Sequence, residues 1–135
     1  MILVDTSVWI ELINGRLGRR LSADLLLQFV TCGPIFQEVL QGLHEVPASD
    51  SFRDNLLAIP RLSDPLPCGL FLQAADIYRR ARQKGYTVRS SADCLIAAIA
   101  IENKVPIWHR NRDFNMSARY TALHASQHLE RLTVG

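Results

Sequence analysis

The chain has 135 residues, a length typical of one domain, and it is 48% hydrophobic and 21% charged, close to the averages for folded globular proteins. These figures exclude a disordered or fibrous protein, and the longest apolar run, from Cys94 to Ile101, is too short to cross a bilayer. The formal net charge of +2 is too small to indicate a nucleic-acid ligand by itself.

The cysteines indicate a reducing compartment. Cys32, Cys68 and Cys94 have no CxxC spacing, and their odd number argues against a disulfide framework. Residues 1–5 also lack the basic segment that opens a signal peptide. We therefore expect free thiols, a cytoplasmic location and no membrane association.

The N-terminal part alternates strand and helix patterns. Residues 2–4 form an aliphatic run typical of a strand covered on both faces. Asp5, Thr6 and Ser7 are N-cap residue types, which predicts a helix over 8–13. The next predicted elements are a helix over 21–29, a strand over 30–32, and a helix that begins at Gly33-Pro34 and ends at Gln41-Gly42.

The same alternation continues to residue 108. The predicted elements are a helix over 52–59, a short strand near Leu62, an amphipathic helix over 71–82, a helix over 94–102 preceded by a capping box at 90–93, and a strand over 105–108. Strands that alternate with helices favour an α/β fold with a parallel sheet. We expect a single domain over residues 1–135.

Four acidic residues fall where strands end or helices begin. Asp5 follows the first strand and Asp113 follows the last. Glu38 and Asp93 lie near the beginnings of two helices. Functional groups in open parallel sheets gather at the carboxyl ends of the strands, so we expect the four carboxylates to converge on one crevice.

A cluster of this kind needs positive charge. Two carboxylates about 5 Å apart repel each other by ~3 kcal/mol at an effective dielectric constant of about 20, more than the ~0.3–1 kcal/mol that a helix N-terminus supplies. An all-oxygen set without a neighbouring histidine or cysteine favours Mg²⁺ or Mn²⁺ over zinc. Each acid also has a structural interpretation as a helix cap, a turn residue or a solvated surface group, so the hypothesis depends on their joint placement.

Four segments occur in a characteristic order: LVDTSVWI at 3–10, EVLQG at 38–42, SADCLIAA at 91–98 and RDF at 112–114. The ordered set resembles the PIN-domain ribonucleases, specifically the toxin component of VapBC-type type II toxin–antitoxin modules, over essentially the whole chain. The resemblance implies a three-layer α/β/α sandwich with a central parallel sheet. It also implies an endoribonuclease that hydrolyses RNA phosphodiester bonds with Mg²⁺ or Mn²⁺ and inhibits translation or growth.

The resemblance assigns roles by position. The catalytic acids are Asp5, Glu38, Asp93 and Asp113, with Thr6, Ser7 and Asn111 as supporting residues. A metal ion held by Asp5 and Asp93 would lower the pKa of a bound water, while Glu38 and Asp113 complete the shell, hold a second ion or orient water. The sequence leaves open whether one or two ions bind, and whether Asp113 or Asn111 fills the fourth position.

Basic residues supply candidate RNA contacts. Without the four acids, the formal net charge of +2 becomes +6 for the remaining residues, which suits an RNA backbone. Solvated surface positions and helix ends also attract cations. The candidates are Arg89, Arg110 and Arg112, with Arg16, Arg19, Arg20, Arg79, Arg80, Arg82 and Lys84 as further basic positions.

Other aromatic and histidine residues favour structural roles. His124 and His128 are four residues apart but lack a third ligand with suitable spacing, which favours a surface helix or tail. Trp9 and Trp108 are expected in the core.

Two further enzyme and binding hypotheses remain open. The first is a metal-dependent phosphatase with Asp5 as nucleophile, although Ser7 stands where such chemistry commonly needs a second acid. The second is a non-catalytic metal-binding regulatory module. The toxin resemblance implies an RNA substrate, a cognate antitoxin that covers the crevice, and a homodimer. Leu25, Leu26, Phe52 and Leu56 are compatible with a partner groove, but the core is the favoured interpretation.

Overall fold

A computed structural model describes residues 1–15, 22–43, 49–119 and 121–132. Its elements are β1 (Ile2–Val4), α1 (Thr6–Ile13), α2 (Ala23–Leu26), β2 (Phe29–Val30), α3 (Gly33–Gln41), α4 (Ser49–Ala58), α5 (Cys68–Gln83), α6 (Ser91–Asn103), β3 (Ile107–Trp108), α7 (Arg112–Ser117), β4 (Ala125–Ser126) and a 3-10 helix (Leu129–Arg131). Within these ranges, no helix has the length and apolar character needed to cross a bilayer.

Four parallel strands form the central sheet in the order β2-β1-β3-β4. Leu3 pairs with Val30 on one side and with Ile107 on the other. The side chains of β1 are buried on both faces, because helices flank the sheet. The predicted α/β/α architecture with a parallel sheet is confirmed.

Helix α6 is largely buried. Six of its residues are buried, and three of these are alanines, at positions 97, 98 and 100. Small side chains allow close approach of neighbouring elements, and α6 packs against α5, α3 and α7. A helix that is apolar on all sides belongs in the interior, and Asp93 lies directly before the buried part of α6.

Aromatic rings link the sheet to the N-terminal helices. The ring of Trp9 meets Phe29 and Phe52 edge to face, each at 6.0 Å between centroids. Phe29 also contacts Trp108 at 5.9 Å. Such pairs are worth ~0.5–1.5 kcal/mol beyond the area they bury. Both tryptophans lie in the core, as expected.

Several predicted boundaries are wrong. The helix predicted over 21–29 covers only Ala23–Leu26, and residue 21 lies outside the described residues. Phe29 belongs instead to β2, where it pairs with Ile2. The strand predicted over 30–32 therefore begins earlier, and Thr31 forms only an isolated parallel bridge with Arg61.

The C-terminal part contains elements that the sequence did not predict. Asn111 begins α7 as its N-cap residue, and β4 adds a fourth strand beside β3. His124 and His128 are exposed on either side of β4. Their surface position agrees with expectation, but the segment is a strand followed by a 3-10 helix rather than an α-helix.

Candidate active site

The candidate site lies at the carboxyl ends of β1 and β3. β1 is followed by a connection that leads to β2 on one side, whereas the later part of the chain returns to β3 on the other side. This is the point where the strand order reverses, and ligands bind there in open α/β sheets. Asp5 stands directly after β1, and its backbone N–H donates to Trp108 O at 2.9 Å.

Asp5 is buried, with 4% of its surface exposed. As the N-cap of α1 it accepts two hydrogen bonds at Oδ2, from Ser7 N at 3.1 Å and from Ser7 Oγ at 2.5 Å. Burial raises the pKa of Asp5, and the hydrogen bonds from Ser7 and Thr6 offset this only in part. The expected capping role is therefore present, but capping alone leaves an ionised carboxylate at an electrostatic cost.

Glu38 and Asp93 belong to the same electrostatic cluster. Burial raises the pKa of Glu38, and the charges of Asp5 and Asp93 raise it further. The pKa of Asp93 is raised to about 6, first by burial and then by Asp5 and Asp113, against a lowering by the hydrogen bond from Asn111. The four predicted acids thus come from four separate parts of the chain and lie close enough to influence one another's ionisation.

The arrangement of these acids is loose. Among the described residues, no three histidine, cysteine or acidic side chains form a compact group ready to hold an ion. Buried Glu38 Oε1 has no hydrogen-bond partner within the part of the chain that the structure describes. An oxygen of this kind is costly unless a donor or a cation meets it.

Asn111 and Asp113, the two candidates for the fourth position, are linked to each other and both act on Asp93. Asn111 Nδ2 donates to Asp93 Oδ2 at 2.9 Å, and Asn111 Oδ1 accepts from Asp113 N at 3.0 Å. The carboxylate of Asp113 accepts from Arg89 N at 3.1 Å. Asn111 therefore contacts the acid of α6 directly, whereas Asp113 acts on that acid through its charge.

Ser7 and Thr6 have different environments. Ser7 Oγ donates to Asp5 and accepts from Arg110 N at 2.9 Å, so it connects the segments that follow β1 and β3. Thr6 is buried, and its Oγ1 has no hydrogen-bond partner among the described residues. The geometry therefore gives the ordering role at Asp5 to Ser7.

The expectation that no histidine or cysteine lies near the four acids is wrong. The charges of Asp5 and Glu38 act on Cys32, and those of Asp93 and Asp113 act on Cys94. Burial is the main cause that raises the pKa of these thiols, to about 12 for Cys32 and about 11 for Cys94. Metals bind the thiolate form, and both thiols are protonated at neutral pH in the metal-free protein.

His109 is the residue that the sequence reasoning missed. It is fully buried after β3, and its Nδ1 accepts from Asn111 N at 3.0 Å. Burial is the main cause that lowers the pKa of its imidazole to about 4. A single histidine after a strand forms no pattern, so the one available signal was its place at the sheet edge, two residues before Asn111.

The basic candidates differ in their freedom to meet RNA. Arg110 is paired with Glu11 at 3.1 Å and also donates to Gln127 O. The side chain of Arg112 is 61% exposed and lies 4.0 Å from Asp113, and Arg89 is exposed. The predicted contacts Arg16, Arg19 and Arg20 lie outside the described residues, and the group at 79, 80, 82 and 84 is exposed near the end of α5.

A groove of about 930 Å³ opens between α3, α5 and α6 beside Glu38. Its walls are mainly apolar and include Leu66, Phe71, Tyr78 and Leu95, and Glu38 also lines it. This surface differs from the apolar set that the sequence offered. Of that set, Leu56 is buried as expected, Leu25 and Phe52 are half-buried, and Leu26 is 46% exposed.

Comparison with known proteins gives concordant matches. A family model described as "PIN domain" matches residues 2–119. The chain is 39% identical over 134 residues to the VapC ribonuclease Mb1587 of Mycobacterium bovis and to ribonuclease VapC11 of Mycobacterium tuberculosis, covering 93% of this chain and 98% of each relative.

Solved structures with the same fold come from more distant relatives. One is VapBC2 from Rickettsia felis bound to a DNA fragment from its promoter (TM-score 0.69, 18% identity, 93% of this chain and 98% of that chain). Another is VapC20 of M. tuberculosis, a sarcin-ricin loop cleaving toxin (TM-score 0.63, 19% identity, 92% and 99%). With a matching family model over most of its length and curated relatives at 39% identity, this chain belongs to the PIN-domain family.

Proposed function

We propose that this protein is a metal-dependent endoribonuclease and acts as the toxin of a VapBC-type pair. The observation that carries the proposal is the electrostatic cluster of Asp5, Glu38 and Asp93, in which Asp5 raises the pKa of both other acids and Asp93 raises the pKa of Glu38. Curated relatives at 39% identity are named ribonucleases. A hydrolase of RNA follows from the two together.

The donor set fits a hard divalent cation. The acids offer oxygen atoms, the adjacent thiols are protonated at neutral pH, and buried Glu38 Oε1 has no partner among the described residues. These features favour Mg²⁺ or Mn²⁺. Asp5 and Asp93 would hold the ion, which supplies an acidified water and neutralises charge on the phosphate when bound.

The chain itself orients these ligands. Ser7 fixes one oxygen of Asp5 through two hydrogen bonds, and Asn111 fixes one oxygen of Asp93 through a third. Each carboxylate thereby keeps its second oxygen for other contacts. Glu38 and Asp113 complete the acidic wall, where they would orient water or share a second ion.

RNA would approach across exposed basic positions. Arg89 and Arg112 flank Asp113, since the backbone of Arg89 and the side chain of Arg112 both approach its carboxylate. Their guanidinium groups would contact phosphates next to the acids. Arg110 contributes less, because its side chain is paired with Glu11.

The proposed partner is a cognate antitoxin. Structural neighbours include VapBC complexes from Rickettsia felis and nontypeable Haemophilus influenzae. The groove beside Glu38 has apolar walls that suit a peptide of such a protein. A homodimer, a cytoplasmic location and a one-domain organisation over residues 1–135 belong to the same proposal.

The test is cleavage of RNA by the purified protein with Mn²⁺, with and without a chelator. Asp5→Asn should retain the fold by circular dichroism and lose nearly all metal-dependent cleavage. Asp54→Asn is the matched control, because its side chain lies on α4 and is 71% exposed. Mapping cleaved ends in total RNA would identify the substrate.

Three outcomes would contradict the proposal. An Asp5→Asn protein that cuts at the parental rate removes this carboxylate from the mechanism. Phosphorylation of Asp5 during turnover would favour the phosphatase alternative. Metal binding without cleavage of any RNA, in the absence of the antitoxin, would favour a regulatory module.

A further inference from the structure

We propose that His109 is a positioning residue, which holds Asn111 and, through Asn111, orients the carboxylate of Asp93 for metal binding. The inference rests on the proposed function, since it assigns Asp93 to the metal site. It concerns a residue that has no place in the acidic set itself. His109 acts on Asp93 indirectly, through a hydrogen bond with the backbone of Asn111.

His109 is held by its backbone, by Nδ1 and by ring packing, whereas its buried Nε2 has no hydrogen-bond partner among the described residues. None of its surface is exposed. Its backbone N–H donates to Ser126 O at 3.1 Å, which ties it to β4. Its ring packs edge to face on Phe114 of α7 at 5.4 Å between centroids. The imidazole therefore has little freedom to rotate.

The ring presents a hydrogen-bond acceptor at one defined point. Nδ1 accepts from Asn111 N at 3.0 Å, so it carries no proton, and a neutral imidazole then has its proton on Nε2. Burial keeps the pKa of His109 at about 4, and the acceptor is consequently retained at neutral pH.

This hydrogen bond holds the backbone of Asn111 in place. The position of the backbone in turn sets the position of the Asn111 side chain. Asn111 Oδ1 accepts from Asp113 N at 3.0 Å, and Asn111 Nδ2 donates to Asp93 Oδ2 at 2.9 Å. One buried ring thus orients a side chain that contacts two elements of the site. A residue that served packing alone would need the ring's volume but no acceptor.

Two substitutions separate volume from acceptor. His109→Phe keeps a ring against Phe114 and removes the acceptor. His109→Asn removes the ring but places Oδ1 close to the position of Nδ1. The readout is the dissociation constant for Mn²⁺, measured from the electron paramagnetic resonance signal of the free ion, with thermal unfolding recorded in parallel.

We expect the two variants to rank in opposite orders for Mn²⁺ affinity and for melting temperature. His109→Phe should weaken Mn²⁺ binding about tenfold, the lower end of the range for residues that support metal ligands, and keep more of the parental melting temperature. His109→Asn should bind Mn²⁺ within about threefold of the parent and unfold at a lower temperature than His109→Phe. Equal loss of affinity in both variants, or parental affinity in His109→Phe, would overturn the inference.

The unsubstituted protein provides a second test that needs no metal. Long-range ¹H–¹⁵N correlation spectra should report the Nε2–H tautomer of His109 at pH 7, and the Asn111 amide should be protected from hydrogen exchange. A protonated Nδ1 or a rapidly exchanging Asn111 amide would overturn the inference alone. Failure of the parent protein to bind Mn²⁺ would instead overturn the proposed function.

Discussion

Asn111 donates a hydrogen bond of 2.9 Å from Nδ2 to Oδ2 of Asp93, so the loop after β3 and the first turn of α6 meet at the cluster of acidic residues. The same asparagine caps α7. One side chain therefore supports both a local helix and a distant carboxylate, and these two roles can be separated by substitution.

Asn111→Ser should keep the cap and lose the amide donor. Serine is as good an N-cap as asparagine, so stability should change by less than ~1 kcal/mol. Affinity for Mn²⁺, measured by calorimetry, should fall about tenfold. Parental affinity in this variant would show that the 2.9 Å contact is not needed at the metal site.

Asp93→Asn should stabilise the metal-free protein. Because the pKa of Asp93 is raised to about 6, its ionised form costs stability at pH 7.5, and we expect a gain of about 1–2 kcal/mol after allowance for solvent screening. Urea unfolding in the presence of a chelator measures this gain. The control variant Asp54→Asn should change the free energy of unfolding by close to zero. Asp93→Asn should also lose the Mn²⁺-induced rise in melting temperature.

The stability difference between the parent and Asp93→Asn should narrow as the pH falls. The carboxyl group of Asp93 has a pKa near 6 in the folded state and near its ordinary value of 3.8 in the unfolded state. As the pH falls, it is therefore protonated in the folded state before it is protonated in the unfolded state. The penalty of the parent is therefore present above about pH 6 and is lost between about pH 6 and 4. Thermal unfolding of both proteins at pH 7.5, 6 and 5 checks this, and a constant difference would contradict it.

The same titration should weaken metal binding. Mn²⁺ needs the ionised carboxylate, so the shift in melting temperature that Mn²⁺ produces should shrink between pH 7.5 and pH 5.5. A shift that does not depend on pH would place the ion away from Asp93.

Arg112→Gln should weaken RNA binding without weakening metal binding. Its guanidinium is 61% exposed, and loss of one phosphate contact should reduce the slope of log affinity against log salt by about one. Arg53→Gln on α4 is the control, with a side chain 54% exposed. Equal salt slopes for both variants and the parent would exclude Arg112 as a phosphate contact.

The sequence located those parts of the site that follow from local pattern. An aliphatic run followed by N-cap residues predicts both β1 and Asp5 at its end, and the structure has them there. The cap at Ser90 was likewise predicted, although α6 begins at Ser91, three residues before the predicted start of the helix. In both places, burial and capping act within a few neighbouring residues.

The remaining parts depend on contacts between distant segments. The ring of His109 and the bond from Asn111 to Asp93 exist only because β3 and α6 are adjacent in space. β4 has two residues, Ala125 and Ser126, and neither composition nor periodicity identifies so short a strand. Phe29 has an apolar neighbourhood that suits a helix, but pairing with Ile2 places it in the sheet.

The order of the strands also has a consequence for synthesis on the ribosome. β1 is made first, yet its neighbour β3 arrives about a hundred residues later. Until β3 packs beside β1, the backbone N–H of Asp5 cannot bond to the carbonyl of Trp108, and Asp93 receives no hydrogen bond from Asn111. A nascent chain therefore lacks the complete acidic cluster until residue 111 has been synthesised and β3 has joined the sheet.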